Sequence, residues 1–190
     1  MKRASAIWER ATPAPANFPY LLKKGIQPHG ARFYNSLLVL PVINTHNTLT
    51  SLQFIANDGS KKLLSGGQKQ GCFIPIAGDI SNASKVIICE GWATGCTLAE
   101  NEHNATIMAA IDAGNLERVA LAVRHQHPNI ELVIAGDDDK QTPGNPGATK
   151  ARAAAISADA LLALPQWPED APAHLTDFND LALWLTRGQA

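Results

Sequence analysis

The chain has 190 residues, of which 45% are hydrophobic and 30 are alanine, enough for one ordinary domain or two small ones sharing an interface. Its 16 Lys+Arg and 17 Asp+Glu nearly cancel, so the net charge of −1 taken whole argues against a polyanion partner. No apolar stretch approaches the ~20 residues needed to span a bilayer, and MKRASAIWER has no apolar run behind its charges, which excludes a membrane or secretory reading and predicts a cytoplasmic chain.

The first segment, to about residue 33, combines a short amphipathic stretch around Ile7, Trp8 and Arg10 with ATPAPANFP, whose prolines predict an arm without regular structure. LLVLPVI (37–43) and LTSLQFI (49–55) are β-rich runs around NTHNT, a hairpin signal, and NDGSKK marks a further turn before LLSGGQKQGCFIPI. Residues 37–77 therefore read as a small antiparallel β unit. From Lys85 the rhythm changes. VIIC (86–89) has the continuous apolar character of a strand buried on both faces, and a helical pattern follows to Glu102. Residues 106–111 form the next strand, 115–125 a helix, 132–135 a third strand, 148–156 an Ala-rich helix, 161–164 a fourth strand and 180–185 a last short helix. Alternation at this spacing predicts a parallel α/β sheet with right-handed crossovers. The division expected is a basic N-terminal arm and β-rich subdomain at 1–84 and an α/β domain at 85–190.

Charge follows the same division. Residues 1–85 hold ten Lys/Arg against three Asp/Glu, a formal +7, and residues 86–190 hold six against fourteen, a formal −8. Cys72, Cys89 and Cys96 form no C-x-x-C pair and read as buried reduced thiols.

In open parallel sheets ligands lie beyond the carboxyl ends of the strands. Glu90 lies one residue past the first strand, Asp137, Asp138 and Asp139 just past the third, and Asp177 and Asp180 at the start of the final helix. Carboxylates gathered on one edge repel unless a cation compensates them, and hard oxygen ligands select Mg²⁺ or Mn²⁺, ions suited to phosphoryl transfer. The run from Asp137 also has the start of an EF-hand loop, but Thr142 occupies the glycine position and Ala148 that of the bidentate glutamate, which excludes a calcium loop. Asp112, after the second strand, is equally a turn former.

VIICEGWATGCTLAE, MAAIDAGNL, LVIAGDDDK with NPGATKARAAA, and TDFNDLALWL together resemble the TOPRIM domain shared by bacterial-type primases, topoisomerases and some nucleases. The resemblance implies that Glu90, Asp137 and Asp139 hold catalytic divalent metal, with Asp177 and Asp180 as further metal positions. The usual second acid of that last element is replaced here by Asn179. Lys150 and Arg152 are the expected nucleotide contacts. The upstream FPYLLKKGI and the TLTSLQFIANDGSKKLLSGGQKQGCFIPIAG segment resemble the alpha-type primases of satellite phages, plasmids and integrated elements, so the likeness covers nearly the whole chain.

The resemblance implies a DNA primase catalytic core, an RNA polymerase that makes short primers from nucleoside triphosphates on a single-stranded DNA template. A zinc-binding domain and a replicative helicase are expected in cis outside this segment or in trans. Lys61, Lys62 and Lys69, among glycines, would hold template phosphates without reading bases, with Arg32, Lys23 and Lys24 extending the surface. Glu90 is either a metal ligand or the general base. The rival readings are a TOPRIM nuclease and a non-catalytic single-strand-binding fragment of a larger primase-helicase. A topoisomerase is disfavoured because the two tyrosines, Tyr20 and Tyr34, both lie in the N-terminal part.

Overall fold

Two five-stranded sheets organise the chain in a computed structural model that describes residues 2–188. The first is wholly antiparallel, in the order β1 (Thr12–Pro13), β2 (Arg32–Tyr34), β3 (Leu37–Ile43), β4 (Leu49–Ile55) and β5 (Lys61–Leu63). The expected hairpin is β3–β4. Its turn is closed by Asn44, whose side-chain oxygen accepts the amides of His46 and Thr48.

The N-terminal segment is not an irregular arm. It forms α1 (Lys2–Arg10) and α2 (Pro19–Lys24) and contributes β1 and β2 to the sheet. The prolines set boundaries instead of preventing structure: Pro19 takes the first helical position of α2, where its missing N–H costs nothing. Gly25 then ends that helix at φ 62, the left-handed conformation a glycine adopts without a Cβ clash. Ala4 of α1 is buried with Val39 and Leu52 on one face of the sheet, while Tyr20 and Leu21 of α2 are buried on the other.

The second sheet runs in the order β10 (Leu161–Ala163), β9 (Glu131–Ala135), β7 (Lys85–Cys89), β8 (Thr106–Ala109) and β6 (Ile74–Ala77). Four strands are parallel, as the alternating pattern predicts, and β6 lies antiparallel at the edge beside β8. This corrects the expected extent of the antiparallel unit: β6 leaves the first sheet and completes the second, and a bridge between Ile43 and Phe73 ties the two together.

Helices α3 (Trp92–Asn101), α4 (Ala113–Gln126), α5 (Pro146–Ser157) and α6 (Phe178–Arg187) follow the four parallel strands in turn. The unbroken apolar run of β7 is explained by cover on both faces. Ile87 and Cys89 join a core with Trp92 and Cys96 of α3, with Tyr20 and Leu21 and with Leu38, Leu40 and Ile55 of the first sheet. Val86 and Ile88 point the other way, into a core built from Leu116, Val119 and Val123 of α4 and Ala151, Ala154 and Ala155 of α5. The first of these cores is shared by the two halves of the chain. The three cysteines are free and buried, as expected. Among the described residues no helix is long and apolar enough to cross a membrane.

The small side chains of α5 let it approach the end of β9 so closely that a Cβ on Gly136 would overlap that of Ala151, and the helix backbone leaves it nowhere to go. Gly136→Ala is therefore expected to destabilise the protein by about 2 kcal/mol, or roughly 5 °C in Tm, measured by thermal unfolding.

Candidate active site

Parallel pairing of β7 with β9 sets Cys89 beside Ala135, so the residues that leave these two strands emerge side by side. Glu90 follows the first and Asp137 to Asp139 the second. The crossover connections also point the N-termini of the helices at this same edge, where exposed amides and the helix dipole favour negative charge. The Ala113 amide at the start of α4 acts on Glu90. Asp139 Oδ2 accepts the Gly147 amide at 3.0 Å at the start of α5, so close that a Cβ on Gly147 would lie 2.7 Å from that oxygen. Asp177 caps α6, accepting the Asp180 amide at 2.8 Å, and its other oxygen accepts the Thr94 hydroxyl at 3.2 Å. The turn into α4 holds Ile111 at φ 81, a conformation a β-branched residue adopts only at a cost, and the turn brings Ala113 to Glu90.

Asp137 is at the centre of this group. Its Oδ1 is buried without a hydrogen-bond partner. Burial first, then the charges of Glu90, Asp177, Asp139 and Asp180, push its carboxyl up to about 8. Burial also raises Glu90, with Asp139 and Asp112 adding repulsion and the Ala113 amide and Lys61 opposing it.

Asp180 turns away to structural work, accepting the Thr176 amide at 3.1 Å and pairing with Lys24 at 3.6 Å. Asn179 is buried and donates to the Lys24 carbonyl and the Thr97 hydroxyl, so it joins α6 to α2 and α3.

The middle aspartate differs from its neighbours. Asp138 is only 6% exposed and accepts hydrogen bonds from Asn145 Nδ2 at 2.8 Å and Trp167 Nε1 at 3.0 Å, with Lys140 at 3.1 Å. Burial alone would raise this carboxyl, but those three donors outweigh it and hold it below the usual range. Asp138 thus anchors the loop from which Asp137 and Asp139 project. Of its partners only Lys140 belongs to the local run DDDK; Asn145 and Trp167 lie 7 and 29 residues further along the chain.

The basic residues are dispersed. Lys61 is exposed along its side chain, yet its ammonium lies 6.0 Å from the centre of the Tyr20 ring. Desolvation and Lys24 lower its pKa, while Asp177, Glu90 and Asp137 oppose the shift, so this lysine of the first sheet stands in the field of the acidic edge. Tyr20 in turn stacks on Trp92, the ring centres 6.4 Å apart. Lys62 follows on the opposite face of β5, as strand alternation requires. Lys69 pairs with Asp112, and its loop is fixed by buried Asn115, whose amide bonds to the carbonyls of Lys69, Cys72 and Ala110. Arg32 lies over the Trp8 ring at 4.2 Å and donates to the Trp8 carbonyl. Lys150 and Arg152 are exposed on α5, and Arg152 borders a cleft with Asp159 and Leu162 at the amino end of β10, the end of the sheet opposite the carboxylates.

Among the described residues no three His, Cys, Asp or Glu side chains stand ready as a closed metal cage. The chemistry nonetheless fits a divalent cation: an unpartnered buried oxygen on Asp137, a carboxyl raised by burial and then by its acidic neighbours, and donors that are all hard oxygens. Glu90, Asp137 and Asp139 would hold it.

A parallel sheet covered on both faces, with a glutamate leaving its first strand and an Asp-x-Asp leaving the third, defines an α/β domain whose acidic edge suits divalent metal. The chain belongs to the Toprim domain family, whose model matches residues 85–188. It is 35% identical over 175 residues to a DNA primase TraC of Escherichia coli, covering 84% of this chain and 12% of that protein. With a second DNA primase TraC of Escherichia coli it shares 39% over 146 residues, 72% of this chain and 14% of the other. The chain thus spans about an eighth of the length of these relatives. Its fold is similar to the primase fragment of the bacteriophage T7 primase-helicase protein, with a TM-score of 0.59 and 14% identity over 88% of this chain and 70% of that one. It is also similar to the DnaG catalytic core, with a TM-score of 0.52 and 13% identity over 97% of this chain and 63% of that one.

A carboxyl raised in the folded state binds its proton there at pH values where the unfolded chain has lost it, so the metal-free protein loses stability as pH rises from about 4 toward 8. Asp137→Asn is expected to flatten that decline and to stabilise the metal-free protein at pH 7 by about 1–3 kcal/mol, measured by urea unfolding across the pH range. Asp138→Ala strands the donors of Trp167 and Asn145 and should cost about 2 kcal/mol, with Asp138→Asn recovering part of the loss in the same measurement.

Proposed function

We propose that this chain is the catalytic core of a DNA primase, joining ribonucleotides into short primers on a single-stranded DNA template. The observation that carries the reading is the meeting of the two halves: Lys61, from the antiparallel sheet, lies within the field of Glu90, Asp137 and Asp177 at the carboxyl edge of the Toprim sheet. A lysine reaching from the basic half to a metal-type acidic edge suits a polymerase, and the likeness to the DNA primase TraC proteins of Escherichia coli supports the reading. In this reading residues 1–84 form the template-binding part, apart from β6, which completes the sheet of the catalytic part at 85–190, and the two parts share a common core.

Mg²⁺ or Mn²⁺, when bound, supplies the charge neutralisation that a nucleoside triphosphate and the leaving pyrophosphate require. Asp137 and Asp139 would hold the cation, and Asp138 anchors the loop that carries them. Glu90 either joins the donors or takes the proton of the attacking 3′-hydroxyl, for which a carboxyl raised above its ordinary value is the better base. Asp177 contributes negative charge at the same edge while capping α6, and Lys61 offers its ammonium to the phosphates that pass there. Lys62 lies on the opposite face of β5 and Lys69 is held by Asp112, so Lys61 is the lysine of this group that serves the edge directly. A zinc-binding domain and a helicase, in cis or in trans, would select the start site and deliver the template.

Primer synthesis is measured on mixed single-stranded templates with Mg²⁺ or Mn²⁺ and all nucleoside triphosphates. Asp137→Ala and Glu90→Gln are each expected to lower it by about 100-fold or more while leaving template binding intact. Full activity in the double variant overturns the assignment. Cleavage of labelled single strands with Mn²⁺ and no nucleotides would instead identify a nuclease.

A further inference from the structure

A second cleft adjoins the acidic edge. It lies between the C-terminal end of α2, the loop around Pro172 and the outer face of α6, encloses about 320 Å³, and combines Lys23, Lys24 and His174 with Trp184, Leu175 and Leu183. We propose that this cleft is a subsite for one nucleotide of a single-stranded nucleic acid, its base against Trp184 and its phosphate at Lys23 and His174.

The walls are fixed before any ligand arrives. Asn179 donates to the Lys24 carbonyl at 2.7 Å, pinning the end of α2 to α6. Gly25 turns the chain at φ 62 with so little room that a Cβ would stand 3.0 Å from Leu183 Cδ2. Such a cleft costs little to order on binding.

Its lining also selects the ligand class. Asp180 occupies Lys24 at 3.6 Å, and Lys23 acts on the exposed carboxylate of Asp58, so the charge is moderate: enough for one phosphate and too little for a densely anionic duplex. Beside these cations stand an indole and aliphatic side chains, and a flat apolar platform flanked by positive charge is how proteins hold unpaired bases without reading them. The position adds the direction. Asp180 lines the cleft and follows by three residues Asp177, the cap of α6 at the acidic edge, so a strand held here lies beside that edge. The inference rests on the primase reading only for the identity of that strand.

The test uses the whole chain and fluorescence anisotropy of labelled (dT)12. Trp184→Ala should weaken binding about fivefold or more, and Trp184→Phe should restore most of it. Lys23→Gln should lower the salt slope by about 0.7, the share of one phosphate on a single strand. Photocrosslinking of the wild-type protein with 5-iododeoxyuridine in the same oligonucleotide, read by mass spectrometry, should label the peptide that contains Trp184; this readout does not depend on how well any variant folds. An unchanged affinity in Trp184→Ala, or crosslinks that avoid the 172–184 region, overturns the subsite. Trp184-dependent binding of GTP or ATP without binding of (dT)12 overturns the strand and leaves a free-nucleotide site. Cleavage of labelled single strands with Mn²⁺ and no nucleotides by a protein that still binds (dT)12 through Trp184 refutes the primase reading alone, whereas primer synthesis with no role for Trp184 in strand binding refutes the subsite alone.

Discussion

Like charges gathered at one end of a sheet repel, and the rest of this molecule is arranged around keeping them there. The cost is visible in Asp137, whose carboxyl rises to about 8 under burial and the charges of Glu90, Asp177, Asp139 and Asp180. Parallel topology offsets part of it, because every strand that delivers a carboxylate to the carboxyl edge is followed by a helix whose first amides face the same way. Gly147 serves Asp139, Ala113 acts on Glu90, and the α6 terminus takes Asp177. Asp138, buried and bonded to Trp167 and Asn145, fixes the loop itself.

The antiparallel half completes the compensation from outside. Lys61 stands over the Tyr20 ring, and Tyr20 rests on Trp92 at the beginning of α3, so a stack of two aromatics sets how far the ammonium reaches toward the carboxylates. The formal +7 and −8 of the two halves, which cancel in the total, meet at several points: Lys61 in the field of the acidic edge, Lys24 at Asp180, Lys69 at Asp112 and Lys85 at Glu102 and Glu131.

The parallel sheet was legible because its signals are local. The apolar run of β7, the acids just past β7 and β9, and the turn residues between elements each declare themselves within a few positions. What escaped depends on partners far along the chain. The N-terminal prolines read as breakers because the sheet and core that order α1 and α2 come later in sequence. The alternation in β6 does not say which sheet the strand joins; its partner β8 is some thirty residues away. Three adjacent aspartates look equivalent until Trp167 singles out the middle one, and Lys61 and Lys62 look like a pair until the strand turns them to opposite faces.

The bond from Asn179 to the Lys24 carbonyl joins residues 155 positions apart, and with Tyr20 and Leu21 in the core of the second sheet it fastens the beginning of the chain to its end. Contacts of such sequence separation are formed only after long loops have closed, which places this topology among the slow folders. Until that closure α3 lacks the cover of α6. The acidic edge draws on Asp177 as well as on Glu90, Asp137 and Asp139, so it is complete only once α6 has docked beside α2 and α3.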